Sequence, residues 1–151
     1  MAKVVLDSCV FVKLFLDEED HQKTRNFIRK LCEQDVTLLV PSVFVYEVYY
    51  IAQKYGADLD FIEQLITRYQ DYNMQETALN PDIIEQTKKI IQHTSHPKSG
   101  CPAFYDASYH ALAMLNDCDF ITADRKHYEK TRQLGHIRIL SDVIQGPFSI
   151  S

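Results

Sequence analysis

The sequence lacks the features that would mark several classes of protein. It has no internal repeat, no low-complexity tract and no linker, so its 151 residues read as one domain over 1–151. No apolar stretch is long enough to span a membrane. The apolar run from Val4 to Leu16 is interrupted by Asp7 and Lys13 and does not read as the core of a signal peptide. The four cysteines, Cys9, Cys32, Cys101 and Cys118, include no C-x-x-C pair. The expectation is reduced thiols in a cytoplasmic protein, with Cys9 and Cys118 as small core residues. Positive charge is also scarce: 16 Lys and Arg face 21 Asp and Glu, a formal charge of −5. That argues against a protein that holds nucleic acid by a broad basic surface alone. A nucleic-acid enzyme stays open, because metal ions can supply the missing positive charge. With 46% hydrophobic and 25% charged residues, the chain is not disordered, collagenous or a disulfide mini-scaffold. A domain of this length buries roughly 68–70% of the surface that its unfolded chain exposes and needs no staple.

What is present is an alternation of short apolar runs with helical patterns. Val4-Val5-Leu6, ending at Asp7, reads as a strand buried on both faces. Thr37 to Val40, stopped by Pro41, reads as a second strand, Glu76 to Leu79 as a weak third, Phe120 to Thr122 as a fourth and Ile137 to Leu140 as the last. Helices are expected over Ser8–Leu16, Asp20–Gln34, Val43–Tyr55 with Ser42 as its cap, and a segment from Asp58 or Asp60 to Tyr69. Further helices are expected after Asn80-Pro81, from Pro102 to Leu115, and from Arg125 to Leu134 before Gly135. The only long polar loop runs from His93 to Pro102. Strands alternating with helices imply a parallel sheet covered on both faces, a three-layer α/β/α domain. Ligands of such domains bind at the carboxyl ends of the strands.

Four carboxylates fall at that edge. Asp7 closes the first strand and Asp124 follows the fourth by two residues. Alone, each reads as a helix N-cap. Glu47 sits four residues after Val43 and four before Ile51, on an apolar helix face. There a charge is costly unless it is paired, bound to a cation, or at the stripe's edge reaching solvent. Asp106 lies in the first turns of its helix, which the helix dipole alone explains, yet beside Ala103, Ala107 and Ala111 on a face that ought to pack. Together the four have a better joint explanation. Like charges about 4 Å apart repel by roughly 4 kcal/mol at an effective dielectric of 20. Either their pKa values rise or a divalent cation sits among them. Oxygen ligands without thiolate or imidazole suit Mg²⁺ or Mn²⁺ rather than zinc. That chemistry points to phosphodiester hydrolysis by metal-activated water.

The segments VVLDSCVFVKLF, PSVFVYEVYY, AFYDASYHALA and DFITADRKHY resemble, in order and spacing, the acidic motifs of the PIN-domain ribonucleases, above all the VapC-type toxins of toxin–antitoxin modules. The resemblance runs from Val4 to about Leu140, with the last two acids 18 residues apart. It implies a parallel sheet whose central groove is lined by the metal-binding, catalytic acids, here Asp7, Glu47, Asp106 and Asp124. It also implies an endoribonuclease dependent on Mg²⁺ or Mn²⁺, usually a homodimer, silenced by a cognate antitoxin. The family commonly has a small hydroxyl residue two before the last acid, which Thr122 matches. Ser8 follows the first acid, and either hydroxyl could position water or a phosphate oxygen. The chain departs from many relatives in having Cys9 where they carry Asn or Ser.

Arg125 and Lys126 adjoin Asp124 and are candidates for RNA phosphate contacts, whereas Lys13 and Lys130 read as solvated surface. His93, His96 and Cys101 match no recurrent zinc spacing. His110, four after Asp106, reads as a packed histidine with one hydrogen bond. Tyr46, Tyr49 and Tyr50 give one helix an aromatic surface suited to a subunit or antitoxin contact. Asp17 to Asp20 reads as a solvated helix start. Other functions are weighed against these residues. An aspartyl-phosphate phosphatase wants D-x-D after the first strand, where this chain has Asp7-Ser8-Cys9, and a receiver domain wants adjacent early acids. A PIN-like module that binds RNA or protein without cutting, or a housekeeping RNA-processing nuclease, remains as the alternative.

Overall fold

The computed structural model describes residues 2–98 and 100–148. Five strands, β1 (Lys3–Leu6), β2 (Thr37–Pro41), β3 (Met74–Thr77), β4 (Asp119–Thr122) and β5 (Ile137–Ile139), form one sheet in the order β3-β2-β1-β4-β5. Every neighbouring pair is parallel. Parallel strands need crossover connections, so helices cover the sheet and the central strands must be apolar on both sides. Val4, Val5, Leu6, Leu38, Leu39 and Val40 are accordingly all buried. The architecture is the expected three-layer α/β/α domain. The chain builds outward from β1 through β2 to β3, then returns to lay β4 against the other side of β1. The carboxyl ends of β1 and β4 therefore flank a topological switch point, where an open α/β sheet leaves a crevice.

The helices follow their apolar stripes. In α2 (His21–Glu33), Thr24, Phe27, Ile28 and Leu31 are buried; in α3 (Val43–Lys54), Phe44, Val48 and Ala52. Asp58 caps α4 (Leu59–Tyr72) by accepting from Asp60 N at 3.0 Å, and Asn80 caps α5 (Pro81–Thr94) by accepting from Ile83 N at 3.0 Å. In α6 (Phe104–Leu115), every residue from Ala107 to Ala113 is buried, so this helix is enclosed rather than amphipathic.

Several boundaries differ from the sequence expectation, each for a local reason. The helix after β1 is one turn, α1 (Ser8–Phe11), continued by a 3₁₀ turn, Val12–Leu14. Its Lys13 is not solvated surface. It is buried, with Nζ 3.2 Å from Glu18 Oε2 and 2.9 Å from Glu19 O, and this turns the acidic run back onto the helix. Asp17 likewise pairs with Arg25 at 3.1 Å. Ser42 makes no side-chain cap; its hydroxyl donates to Thr77 O at 3.3 Å and ties β2 to β3. β3 starts two residues early because Met74, not Leu79, is its buried anchor. Pro102 precedes the N-cap Ala103 instead of opening α6. The helix after β4, α7 (Arg125–Thr131), tightens into a 3₁₀ turn at Arg132–Leu134 and stops at Gly135, whose φ of +74° disfavours any side chain. Leu140 leaves β5 and begins a short helix, α8 (Leu140–Val143). Ser99, in the polar loop, lies outside the described residues.

Phe11 joins these layers. Fully buried, it meets Phe44 edge-on at 5.2 Å and Tyr69 at 5.3 Å, so the turn that follows Asp7 is packed against α3 and α4. Phe11→Ala is expected to cost about 3–5 kcal/mol. Urea unfolding of the two proteins measures it, and a loss below about 1 kcal/mol would contradict the packing role.

Candidate functional site

Asp7 follows the last residue of β1, and its N–H donates to Ile121 O at 3.1 Å, which keeps it in line with β4. Its side chain caps no helix, so the N-cap explanation does not hold for it. Oδ2 accepts the Thr122 hydroxyl at 2.7 Å, and Oδ1 lies 3.4 Å from Ser8 Oγ. Ser8 Oγ is also 3.4 Å from Glu47 Oε1. One hydroxyl has one hydrogen, so Ser8 serves either carboxylate in turn. Glu47 rides the edge of the α3 stripe, half-buried, and its Oε1 accepts the Tyr109 hydroxyl at 2.5 Å. Asp124 does act as the N-cap of α7, with Oδ1 accepting from His127 N at 3.1 Å. Its own N–H donates to Thr122 Oγ1 at 3.0 Å. The Thr122 hydroxyl is thus spent on both sides, between Asp7 and the Asp124 backbone, and is 0% exposed. That geometry makes Thr122 an orienting group for the two acids.

Electrostatics draws the fourth acid in. Asp106, at the start of α6, has its carboxyl pushed up to about 7, first by burial and then by the charges of Asp7, Asp124 and Glu47. Burial raises Asp7 as well, against hydrogen bonds from Thr122 and Cys9, and the Asp124 charge adds to the rise. Glu47 is raised by burial and by Asp7, against the bonds from Tyr109 and Ser8. The four carboxylates, from four separated segments, share one electrostatic neighbourhood.

The donor chemistry fits a hard divalent cation. Among the described residues, no side chain hydrogen-bonds to the Asp106 carboxylate, to Glu47 Oε2 or to Asp124 Oδ2. Free, mutually repelling carboxylate oxygens are what Mg²⁺ or Mn²⁺ takes as ligands. As they stand, no three His, Cys, Asp or Glu groups among the described residues are set to hold an ion. Hydroxyls anchor Asp7 and Glu47 individually, while repulsion acts on all four.

Cys9 sits beneath the acids, its Sγ accepting from Ala123 N at 3.4 Å and lying 3.9 Å from Thr122 Oγ1. Burial and the Asp7 charge push its thiol well up, so it is neutral packing. All four cysteines are free thiols. His110 is the packed histidine expected, fully buried, with Nε2 2.7 Å from Gly135 O. Arg125 and Lys126 are exposed on α7, with Arg125 bonded to Ser141 Oγ at 3.1 Å. Both line a surface depression of about 810 Å³ between α7 and the end of α5, together with His93, Lys130 and Glu129. None of the four acids lines it, so it adjoins the carboxylate cluster through Asp124 only along the chain. Tyr109 is the site residue that sequence reasoning missed. Its signal is its place three residues after Asp106, one helical turn along.

Asp106 yields a signed expectation. Its folded pKa lies above the ordinary 3.8, so the native state holds the proton more tightly. Stability therefore falls as pH rises from about 4 to about 7, and the penalty is complete above that range. In chelator, Asp106→Asn should be more stable than the parent at about pH 8, by roughly 1–3 kcal/mol after allowance for solvent screening, and equal to it near pH 4. Thermal melts across that range check it; equal or lower stability of the variant at alkaline pH would contradict the repulsion.

Comparison with known proteins agrees with the geometry. The family model described as PIN domain matches residues 4–133. No curated protein matches the sequence. Among solved structures, VapBC2 from Rickettsia felis, bound to a promoter DNA fragment, aligns at a TM-score of 0.66 and 12% identity, covering 91% of this chain and 98% of that one. The Mycobacterium tuberculosis toxin VapC20, described as cleaving the sarcin–ricin loop, aligns at 0.61 and 11% identity, over 83% and 93% of the two chains. A toxin–antitoxin complex from Klebsiella pneumoniae aligns at 0.61 and 17%, over 89% and 95%. At these identities the structural likeness speaks for the fold. With the family model spanning most of its length and the acids at the switch point of its sheet, the chain belongs to the PIN-domain family.

Proposed function

We propose that the protein is an endoribonuclease dependent on Mg²⁺ or Mn²⁺, acting as the toxin of a toxin–antitoxin pair in the cytoplasm. The observation that carries the reading is the gathering of the acids at one sheet edge, where Thr122 joins Asp7 to the Asp124 backbone, Ser8 lies between Asp7 and Glu47, and Tyr109 ties Glu47 to the helix that carries Asp106; a divalent cation would relieve the repulsion among them. The solved neighbours that are toxins or toxin–antitoxin complexes support the biological setting.

Asp7, Asp106, Asp124 and Glu47 are the residues that would hold the cation. When bound, it lowers the pKa of a water molecule and neutralises charge developing on the phosphate. The chain's own groups supply the rest. Thr122 fixes the rotamer of Asp7 and, through the Asp124 N–H, the position of that acid. Tyr109 and Ser8 hold one oxygen of Glu47 and leave Oε2 to face a ligand or orient a water. Ser8, able to turn between Asp7 and Glu47, would orient a water or a phosphate oxygen. Arg125 and Lys126 bind backbone phosphates of the RNA, which offsets the net negative charge of the chain. Tyr46 and Tyr50, 79% and 65% exposed on α3, offer aromatic surface to an antitoxin or to a second copy in a homodimer.

Two outcomes test the proposal. Single-stranded RNA should be cut with Mg²⁺ or Mn²⁺ and not with chelator. Asp7→Asn and Asp106→Asn should each lower the rate by at least about 10²-fold while keeping the native circular dichroism. Cleavage at the parent rate by either variant would contradict the assignment. Lys126→Ala should weaken RNA binding and reduce the slope of log K against log[salt] by about 0.7, the value for one lost phosphate contact on a single strand. An unchanged slope would remove Lys126 from the RNA surface.

A further inference from the structure

We infer that Tyr109 is a positioning residue for the carboxylate site: its hydroxyl clamps Glu47 from α3 to the helix that carries Asp106, and so sets the spacing between two of the cation-holding groups. The inference rests on reading the four acids as a cation site, and it goes further by giving a role to a residue outside the acidic motifs.

Asp106 and Tyr109 are three residues apart on α6, so their side chains leave the same face one turn apart. Tyr109 is fully buried, its ring stacked on Phe120 of β4 at 5.3 Å and 17° between planes. A buried phenol must find a partner for its hydrogen. Glu47 Oε1 accepts it at 2.5 Å, the short end of the range for a hydroxyl on a carboxylate. Glu47 comes from another helix, and among the described residues its further hydrogen-bond partner is Ser8 Oγ, which is farther, at 3.4 Å, and shared with Asp7. A half-buried glutamate at the stripe's edge has three rotatable bonds, and fixing it in one rotamer has an entropic cost that one strong, rigidly held donor can meet. Tyr109 is such a donor because its ring is packed between helix and sheet. With Oε1 taken, Oε2 is the oxygen that remains for a ligand. The clamp therefore decides which oxygen Glu47 presents, and where. Partners that orient metal ligands in this way act through the ligand, and their loss costs about 10–100-fold in metal affinity.

The test is Mn²⁺ binding by the whole chain, measured calorimetrically or by electron paramagnetic resonance without RNA. Tyr109→Phe removes one oxygen and keeps the stacked ring. It should weaken Mn²⁺ binding about 10-fold or more. In a Glu47→Ala background, Tyr109→Phe should change the affinity no further, because a residue that works through Glu47 has nothing left to orient. Equal losses in both backgrounds would make Tyr109 merely structural and overturn the inference, as would an unchanged affinity in the single variant. A second measurement does not depend on the variant folding: in the wild-type chain, the ¹³Cζ resonance of Tyr109 should move on adding Mg²⁺, and a resonance that stays in place would overturn the clamp. Failure of the underlying reading looks different. In that case the wild type itself binds no Mn²⁺, and Asp106→Asn is indistinguishable from it.

Discussion

The gathering of carboxylates, partly out of water, at one edge of a parallel sheet is the constraint on which the candidate site depends. β1 and β4 are neighbours, both buried and apolar, so the acids that follow them must emerge side by side at the sheet's carboxyl edge. The helix after β2 and the helix after the long polar loop then bring two more acids to the same place. Burial first, and then the charges of Asp7, Asp124 and Glu47, push the Asp106 carboxyl up to about 7. Selection for stability alone would remove it, since an amide or an apolar side chain would serve the fold better. On the proposed reading, a cation offsets that cost and the same cation assists cleavage of a phosphodiester.

Hydroxyl groups make the arrangement tolerable. Thr122 satisfies Asp7 and receives the Asp124 N–H, Ser8 lies between Asp7 and Glu47, and Tyr109 anchors Glu47. None of them carries a formal charge, so they orient the acids without neutralising them. The enclosed α6 matters for the same reason. Its small residues, Ala107, Ser108, Ala111 and Ala113, let it sink against the sheet, and both Asp106 and Tyr109 inherit their positions from that packing.

The period of the apolar residues made most of this legible in the amino-acid order. Val4 to Leu6 and Phe120 to Thr122 read as buried strands because nothing polar interrupts them, and the acids at their ends follow from that. The misplacements have local causes that a pattern cannot hold. Leu79 looked like the end of a strand, but the edge strand needs only one buried anchor, and Met74 supplies it. Lys13 looked solvated because its partners, Glu18 and Glu19, lie beyond a turn that the helical pattern did not foresee. Thr122 was legible as a small hydroxyl near an acid, whereas its bonds to Asp7 and to the Asp124 N–H needed coordinates. Tyr109 escaped because an aromatic residue inside an apolar helix reads as core. Its ring is core, and only its oxygen belongs to the site.

Asp106 holds its proton because it is buried beside Asp7, Asp124 and Glu47, and the most direct measurement of this is a ¹³C NMR titration of that carboxyl group in the metal-free protein. The expected midpoint lies near 7 and falls toward the ordinary carboxylate range both in Asp7→Asn and on saturation with Mg²⁺. A midpoint near 4 in the unmodified chain, insensitive to Asp7 and to Mg²⁺, would contradict it.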